Sequence, residues 1–193
     1  MNCCICSEKS FYDICRNANM TDANIREIID HSRALIKVRY ENPEFPTIHV
    51  EPKGNWIDLK CTQDYELKAG DSALINLGVA MKLPAGFEAH LAPRSGTFKK
   101  YGLMQTNSVG VIDDSYSGTN DIWKMPVYAT RDTIVKKGER LCQFRLSRTM
   151  ESELFEPVNA ADWFTSFSAG QLIILEVDTL DDIDRGGFGS SGR

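Results

Sequence analysis

Residues 75–83, Ile75-Asn76-Leu77-Gly78-Val79-Ala80-Met81-Lys82-Leu83, carry an apolar side chain at every odd position. A period of two is the signature of a strand with one buried face. Phe87, Ala89 and Leu91 continue it downstream, and Ile36, Val38 and Tyr40 repeat it upstream. Further strand candidates lie at 122–130, 141–146 and 172–177, with Pro126 expected at an edge or bulge. Turn signals separate them at Lys68-Ala69-Gly70, Pro84-Ala85-Gly86 and Lys137-Gly138. Many short strands at regular intervals predict a mainly β chain, a barrel or a sandwich. Residues 147–171 read as a loop or an insertion, and there is no internal repeat.

Outside this strand-rich body lie two segments of different character. Residues 21–33 have helical spacing: Thr21 caps, Asp22 suits the first turn, and Ile25, Ile28, Ile29 and Ser32 share a face. They follow a leader holding four of the six cysteines, Cys3, Cys4, Cys6 and Cys15. Cys3 and Cys6 have C-x-x-C spacing, but no second pair or nearby histidine completes a zinc set. Cys142, in an apolar strand, reads as a core thiol. The start of the chain shows no basic region followed by an apolar run, and no stretch is long and apolar enough to span a bilayer. These features predict reduced thiols and a cytoplasmic location. A net charge of −5 disfavours broad nucleic-acid binding but leaves room for a local anion site.

Three short segments carry chemistry. The tail, Arg185-Gly186-Gly187-Phe188-Gly189-Ser190-Ser191-Gly192-Arg193, has N–H groups, hydroxyls and charge to wrap a phosphorylated ligand, or is a plain glycine-serine tail. Its G-x-G-x-x-G pattern lacks the strand–turn–helix context of a dinucleotide site. In residues 93–102, Ser95 reads as a helix N-cap and Gly102 as the C′ residue, which makes either a phosphate site beside Arg94 or an ordinary capped turn. In 110–118 an apolar strand delivers Asp113 and Asp114 into a polar hairpin, with Tyr116 three residues after the first acid. Asp113 is either a general base for water or a turn residue bonding the backbone.

Together these segments resemble the trimeric dUTP diphosphatases (dUTPases), whose five short motifs occur in order. The first is similar to Asn55–Leu59, the second to Pro93–Gly96, the third to Gly110–Gly118, the fourth to Gly138–Gln143 and the fifth to Arg185–Gly192. The resemblance spans about 34–193 and implies a jelly-roll-like β-barrel (the dUTPase fold) at 34–184. It leaves 1–33 as an N-terminal helical appendage and makes 185–193 an arm that crosses to a neighbour in a homotrimer and closes over its ligand. The implied reaction turns dUTP and water into dUMP and pyrophosphate, which limits uracil incorporation into DNA. Asp113 would activate the water. Tyr116 would pack under the sugar and reject a 2′-hydroxyl, and Asn107 would shape the uracil pocket. Arg94, Ser95 and Gly96 would hold phosphate oxygens, and Gln143 would contact phosphate or a metal-bound water. Arg185, Gly189, Ser190 and Ser191 would hold the γ-phosphate end, with Phe188 stacked on uracil. The implied cofactor is Mg²⁺, its waters held by Asp58, and the partners are dUTP and further copies of the chain, not nucleic acid or membrane. His31, His49 and His90 fall outside the motifs, so no covalent nucleophile is expected. The alternatives are a dCTP deaminase of the same fold and a non-catalytic nucleotide-binding signalling trimer.

Overall fold

The computed structural model describes residues 2–31, 35–51, 54–150 and 171–187. Phe188, Gly189, Ser190 and Ser191, and most of the 147–171 segment, lie outside the described residues.

The chain is mainly β, but the expected jelly-roll barrel does not form. Closure requires the outer strands of a sheet to pair with each other. Among the described residues the strands instead make four separate sheets, and none returns on itself. The largest has five strands: β10 (Gly110–Ile112), β8 (Phe87–Pro93), β13 (Arg140–Arg148), β4 (Ile57–Lys60) and β3 (Ile48–Val50), in that order. A second sheet runs β1 (Asn2–Ser7), β14 (Gln171–Glu176), β2 (Leu35–Tyr40), β7 (Val79–Lys82). A third contains β6 (Ser72–Asn76), β11 (Lys124–Ala129) and β9 (Leu103–Gln105). A fourth pairs β5 (Tyr65–Leu67) with β12 (Thr133–Val135).

The alternating stretch 75–83 is not one strand. It ends β6, turns at Gly78 with φ +66°, and resumes as β7 in a different sheet. A Cβ at Gly78 would come within 2.4 Å of Thr62 Cγ2, so only glycine makes this corner. Ile75, Leu77, Val79 and Met81 all reach one core, because the corner preserves their inward direction while changing partners. Pro126 lies in the central strand of its sheet rather than at an edge. It is tolerated because β9 pairs only with 127–129, so the donor that proline lacks falls beyond that ladder.

Trp123 and Phe144 meet edge to face at 5.2 Å between ring centroids, near the middle of the main core. Cys142 is fully buried there, and burial pushes its thiol up, as a core residue requires.

The sequence reading assigns no element to residues 2–20. The structure has β1 there, then α1 (Glu8–Asn17), whose N–H of Ser10 is capped by Ser7 Oγ at 3.3 Å. The expected helix follows as α2 (Asp22–His31), with Thr21 Oγ1 accepting from the Asn24 N–H at 3.3 Å. Phe11, Cys15, Ile25 and Ile29 pack on Leu35, Ile173 and Leu175 as a second, smaller core. β14 is therefore held on both sides, parallel to β1 and parallel to β2.

Candidate active site

Two clusters form at opposite ends of β8. The first gathers where β8 runs out into Arg94. Register places Asp58, Gln143 and Ala92 side by side on neighbouring strands, so Asp58 and Gln143 share a face of the sheet. The neighbours of this row, Ile57, Phe144 and Leu91, point the other way into the core. Asp58 is buried, and its Oδ2 takes Arg94 Nε and Arg140 Nη1, each at 3.1 Å. A buried carboxylate needs such partners. Arg140 also pairs with Glu51, which holds the Glu51 carboxyl below its usual range. Gln143 Nε2 donates to Pro93 O at 3.4 Å. Arg140 lies inside the fourth motif but has no role in the sequence reading. The signal for it is the acid that cannot be buried unaccompanied.

Ser95 and Gly96 are exposed in the turn beside Arg94. Ser95 is not the helix cap. The cap is Gly96, with no side-chain hydrogen bond, and α3 (Thr97–Tyr101) is one short turn. The turn is fixed instead by Thr97, whose Oγ1 donates to Leu141 O at 2.6 Å, and by the Arg94 N–H to the same carbonyl at 3.0 Å. A Cβ at Gly96 would meet nothing within 4 Å, so its backbone is open to approach. Gly102 does end the helix, with φ +66° and its N–H on Phe98 O.

The second cluster lies at the other end. β10 pairs with β8 from Gly110↔Leu91 to Ile112↔Ala89, which delivers Asp113 beside Glu88. The expected hairpin is a strand and a turn only: the Tyr116 N–H closes on Asp113 O at 3.1 Å, and the next strand, β11, belongs to another sheet. Asp113 is exposed, and Tyr116 is half-buried, with its phenol pushed up by desolvation. Asn107 is exposed; its Oδ1 accepts from Gln105 Nε2 at 2.9 Å, near the start of β10.

Onto this loop comes the beginning of the tail. Gly118 bridges to Asp181 and Asp182. Arg185 Nη1 lies on Ser115 Oγ and 3.6 Å from Asp113 Oδ2. A Cβ at Gly187 would be 2.9 Å from the Tyr116 hydroxyl. Thus Asp113, Tyr116 and Arg185 come together, while Arg94, Ser95, Gly96, Gln143 and Asp58 form a separate group. Glu88 to Arg94 is six steps along a strand, about 20 Å at roughly 3.3 Å each. Among the described residues no group of three His, Cys, Asp or Glu side chains is placed to hold a metal ion.

A family model described as dUTPase matches residues 51–172, more than half of the chain. The SPbeta prophage-derived deoxyuridine 5′-triphosphate nucleotidohydrolase YosS of Bacillus subtilis (strain 168) is 45% identical over 157 residues, covering 81% of this chain and 97% of its own. The deoxyuridine 5′-triphosphate nucleotidohydrolase of Rickettsia akari (strain Hartford) is 33% identical over 130 residues, 67% of this chain and 81% of its own. Among solved structures, the dUTPase from Streptococcus mutans superposes with a TM-score of 0.52 at 24% identity, covering 59% of this chain and 96% of that one. The dUTPase from phage phi11 of S. aureus gives 0.53 at 19%, covering 68% and 99%. These two likenesses speak for the fold alone.

Proposed function

The chain belongs to the dUTPase family, and on that premise we propose how its residues carry out the hydrolysis of dUTP to dUMP and pyrophosphate. The observation that carries the proposal is the separation of the two clusters. The three phosphates of one nucleotide cannot bridge about 20 Å of strand. One site therefore takes the Arg94 end of one chain and the Asp113 loop of another, which fits a homotrimer with shared sites.

In that site Ser95, Gly96 and Gln143 donate to phosphate oxygens, and Arg94 adds charge beside them. Asp58 and Arg140 hold the Arg94 guanidinium in place. Asn107 and the backbone at the start of β10 face the uracil. Tyr116 lies under the deoxyribose and leaves no space for a 2′-hydroxyl. Asp113 orients a water in line with the α-phosphorus and takes its proton as the new oxygen–phosphorus bond forms. The bond from the α-phosphorus to its bridging oxygen breaks, and pyrophosphate departs with that electron pair. The arm at 185–193 closes over the site, with Arg185, Gly189, Ser190 and Ser191 on the γ-phosphate end and Phe188 on the base. The body at 34–184 bears the chemistry, and the N-terminal segment packs on it through β14 and Leu35 without supplying a site residue.

Mg²⁺ is the cofactor. The donor set fits a hydrated ion rather than a caged one, since Asp58 is already bonded by two guanidinium groups and its neighbouring acid, Glu51, is paired with Arg140. Bound to the triphosphate, the ion neutralises charge, and Asp58 would hold its waters.

Incubation with Mg²⁺ and each nucleoside triphosphate in turn tests the proposal. Pyrophosphate and dUMP are expected from dUTP, with UTP and dCTP spared. Equal release from UTP would remove Tyr116 from its role, and ammonia from dCTP would redirect the whole reading.

A further inference from the structure

Alternation along β9 turns Gln105 inward with Leu103, where an apolar residue would be expected, and leaves it only 8% exposed. Its Nε2 donates to Leu91 O at 3.0 Å and to Asn107 Oδ1 at 2.9 Å. Its own Oε1 is buried and accepts no hydrogen bond among the described residues. An unpaired buried oxygen is costly, but the reversed amide would set that oxygen against the Leu91 carbonyl, which cannot turn. The strand backbone therefore decides which end of the Gln105 amide faces β8. The second N–H of Gln105 decides in turn which end of Asn107 it meets, and that end is the oxygen. The Asn107 nitrogen is left beside the start of β10, where a Cβ at Gly110 would lie 3.5 Å from Nδ2. The backbone of Asn107 is fixed as well: the Val109 N–H closes on Asn107 O at 2.6 Å across Ser108, whose φ is +59°.

We propose that Gln105 is a positioning residue that sets the direction of the Asn107 amide, so that the site meets the base with an N–H donor. Uracil carries a carbonyl at C4 where cytosine carries an amine. A fixed donor pairs with the carbonyl and opposes the amine. An amide free to turn would satisfy either base, because its two ends are nearly the same size and differ only in giving or taking a proton. The relay runs from the Leu91 carbonyl through the Gln105 amide to the Asn107 amide, and it rejects cytosine by leaving polar groups unpaired. The unpartnered Oε1 is the cost of that fixed direction, carried by a residue buried behind the base-facing side chain. This inference rests on the proposed reading that Asn107 faces the base.

Steady-state hydrolysis of dUTP and dCTP by the full-length protein with Mg²⁺ tests it. In Gln105→Leu the Asn107 amide turns freely, and the ratio of kcat/KM for dUTP over dCTP is expected to fall roughly tenfold, through KM for dUTP with kcat little changed. Gln105→Met, a flexible side chain of similar length with no donor, is expected to do the same and serves where the leucine packs badly. Asn107→Asp, with oxygen at both ends, should move the ratio on the order of a hundredfold towards dCTP. If Asn107→Asp shifts the ratio and neither Gln105 variant does, Gln105 only fills space, and the proposal is overturned while Asn107 keeps its place at the base. If Asn107→Asp leaves the ratio unchanged, the reading of Asn107 fails and takes the proposal with it.

A double variant separates orientation from packing. A carboxylate has no distinct ends to orient, so Gln105→Leu added to Asn107→Asp is expected to leave the ratio where Asn107→Asp alone put it. A further fall of the same size there overturns the relay. The native protein gives a check without substitution. Both Gln105 side-chain N–H protons are bonded in a buried place, so their exchange with solvent, read by NMR, should be roughly tenfold or more slower than that of an exposed glutamine. Exchange at the exposed rate overturns the proposal.

Discussion

Asp113 is 63% exposed and bears no buried partner, so its removal should cost chemistry rather than folding. Asp113→Asn is expected to lower kcat by about 10²–10⁴ while binding of a non-hydrolysable dUTP analogue, measured by calorimetry, stays within a few-fold. Asp58 is the opposite kind of acid. Asp58→Asn leaves Arg94 and Arg140 side by side without their shared counter-charge. The expected result is a rise in KM for dUTP together with a lower Tm, about 2 kcal/mol in stability, read from urea unfolding. The sequence singles out both acids because each sits in an ordered motif. It does not single out Arg140 or Gln105. Their importance comes from what they touch across 82 and 14 residues of sequence, and no local pattern encodes such a contact.

Elements were legible where one face is buried and the partner strand is regular. The alternation at 87–91 and the spacing of Ile25 and Ile29 each gave the right element, because a single period governs each. The period of 75–83 was right and its continuity was not. Alternation survives a change of sheet when a positive-φ residue makes the corner, so the break was hidden in Gly78. Gly78→Ala should therefore destabilise by about 1–3 kcal/mol, through both strained φ and the Thr62 contact, as a lower urea midpoint with unchanged m. At the arm root the relevant groups are Asp182 and Asp184. The Lys82 bond holds Asp182 low against desolvation, with Ser117 adding to it, and the Asn120 backbone and side chain hold Asp184 low. Folded values depressed below the ordinary carboxylate near 3.9 mean that their contribution is full above that pH and is lost as pH falls through the folded values. Amide protection at Asn120, whose N–H sits on Asp184, is expected to hold at neutral pH and to be lost as the pH falls through the depressed folded value, measured by hydrogen exchange.

For the molecule as a whole, the β class was readable from composition and period, but the way strands distribute among sheets was not. Whether a chain of short strands closes into one barrel or divides into four sheets depends on pairings such as β14 between β1 and β2, which unite residues far apart in sequence. The leader is the clearest case. Ser7, Phe11 and Cys15 carry a cap and an i, i+4 apolar pair, yet their purpose is visible only against Ile173 and Leu175. Deleting residues 2–33 bares that second core and unpairs one side of β14, so Tm is expected to fall by roughly 10 °C in a thermal scan. Native mass should still report the oligomer of the full-length chain, proposed above to be a trimer, because both clusters lie outside the deleted segment. The pairing of Asn2 with Gln171 also sets a schedule for biosynthesis. Residues 2–7 leave the ribosome long before 171–176 exist, so α1 and α2 must wait with their apolar faces unsheltered until nearly the whole chain has been translated. A stalled or prematurely terminated nascent chain would keep those faces in water, and holding chaperones should be found on it there rather than on the sheets that bear the chemistry.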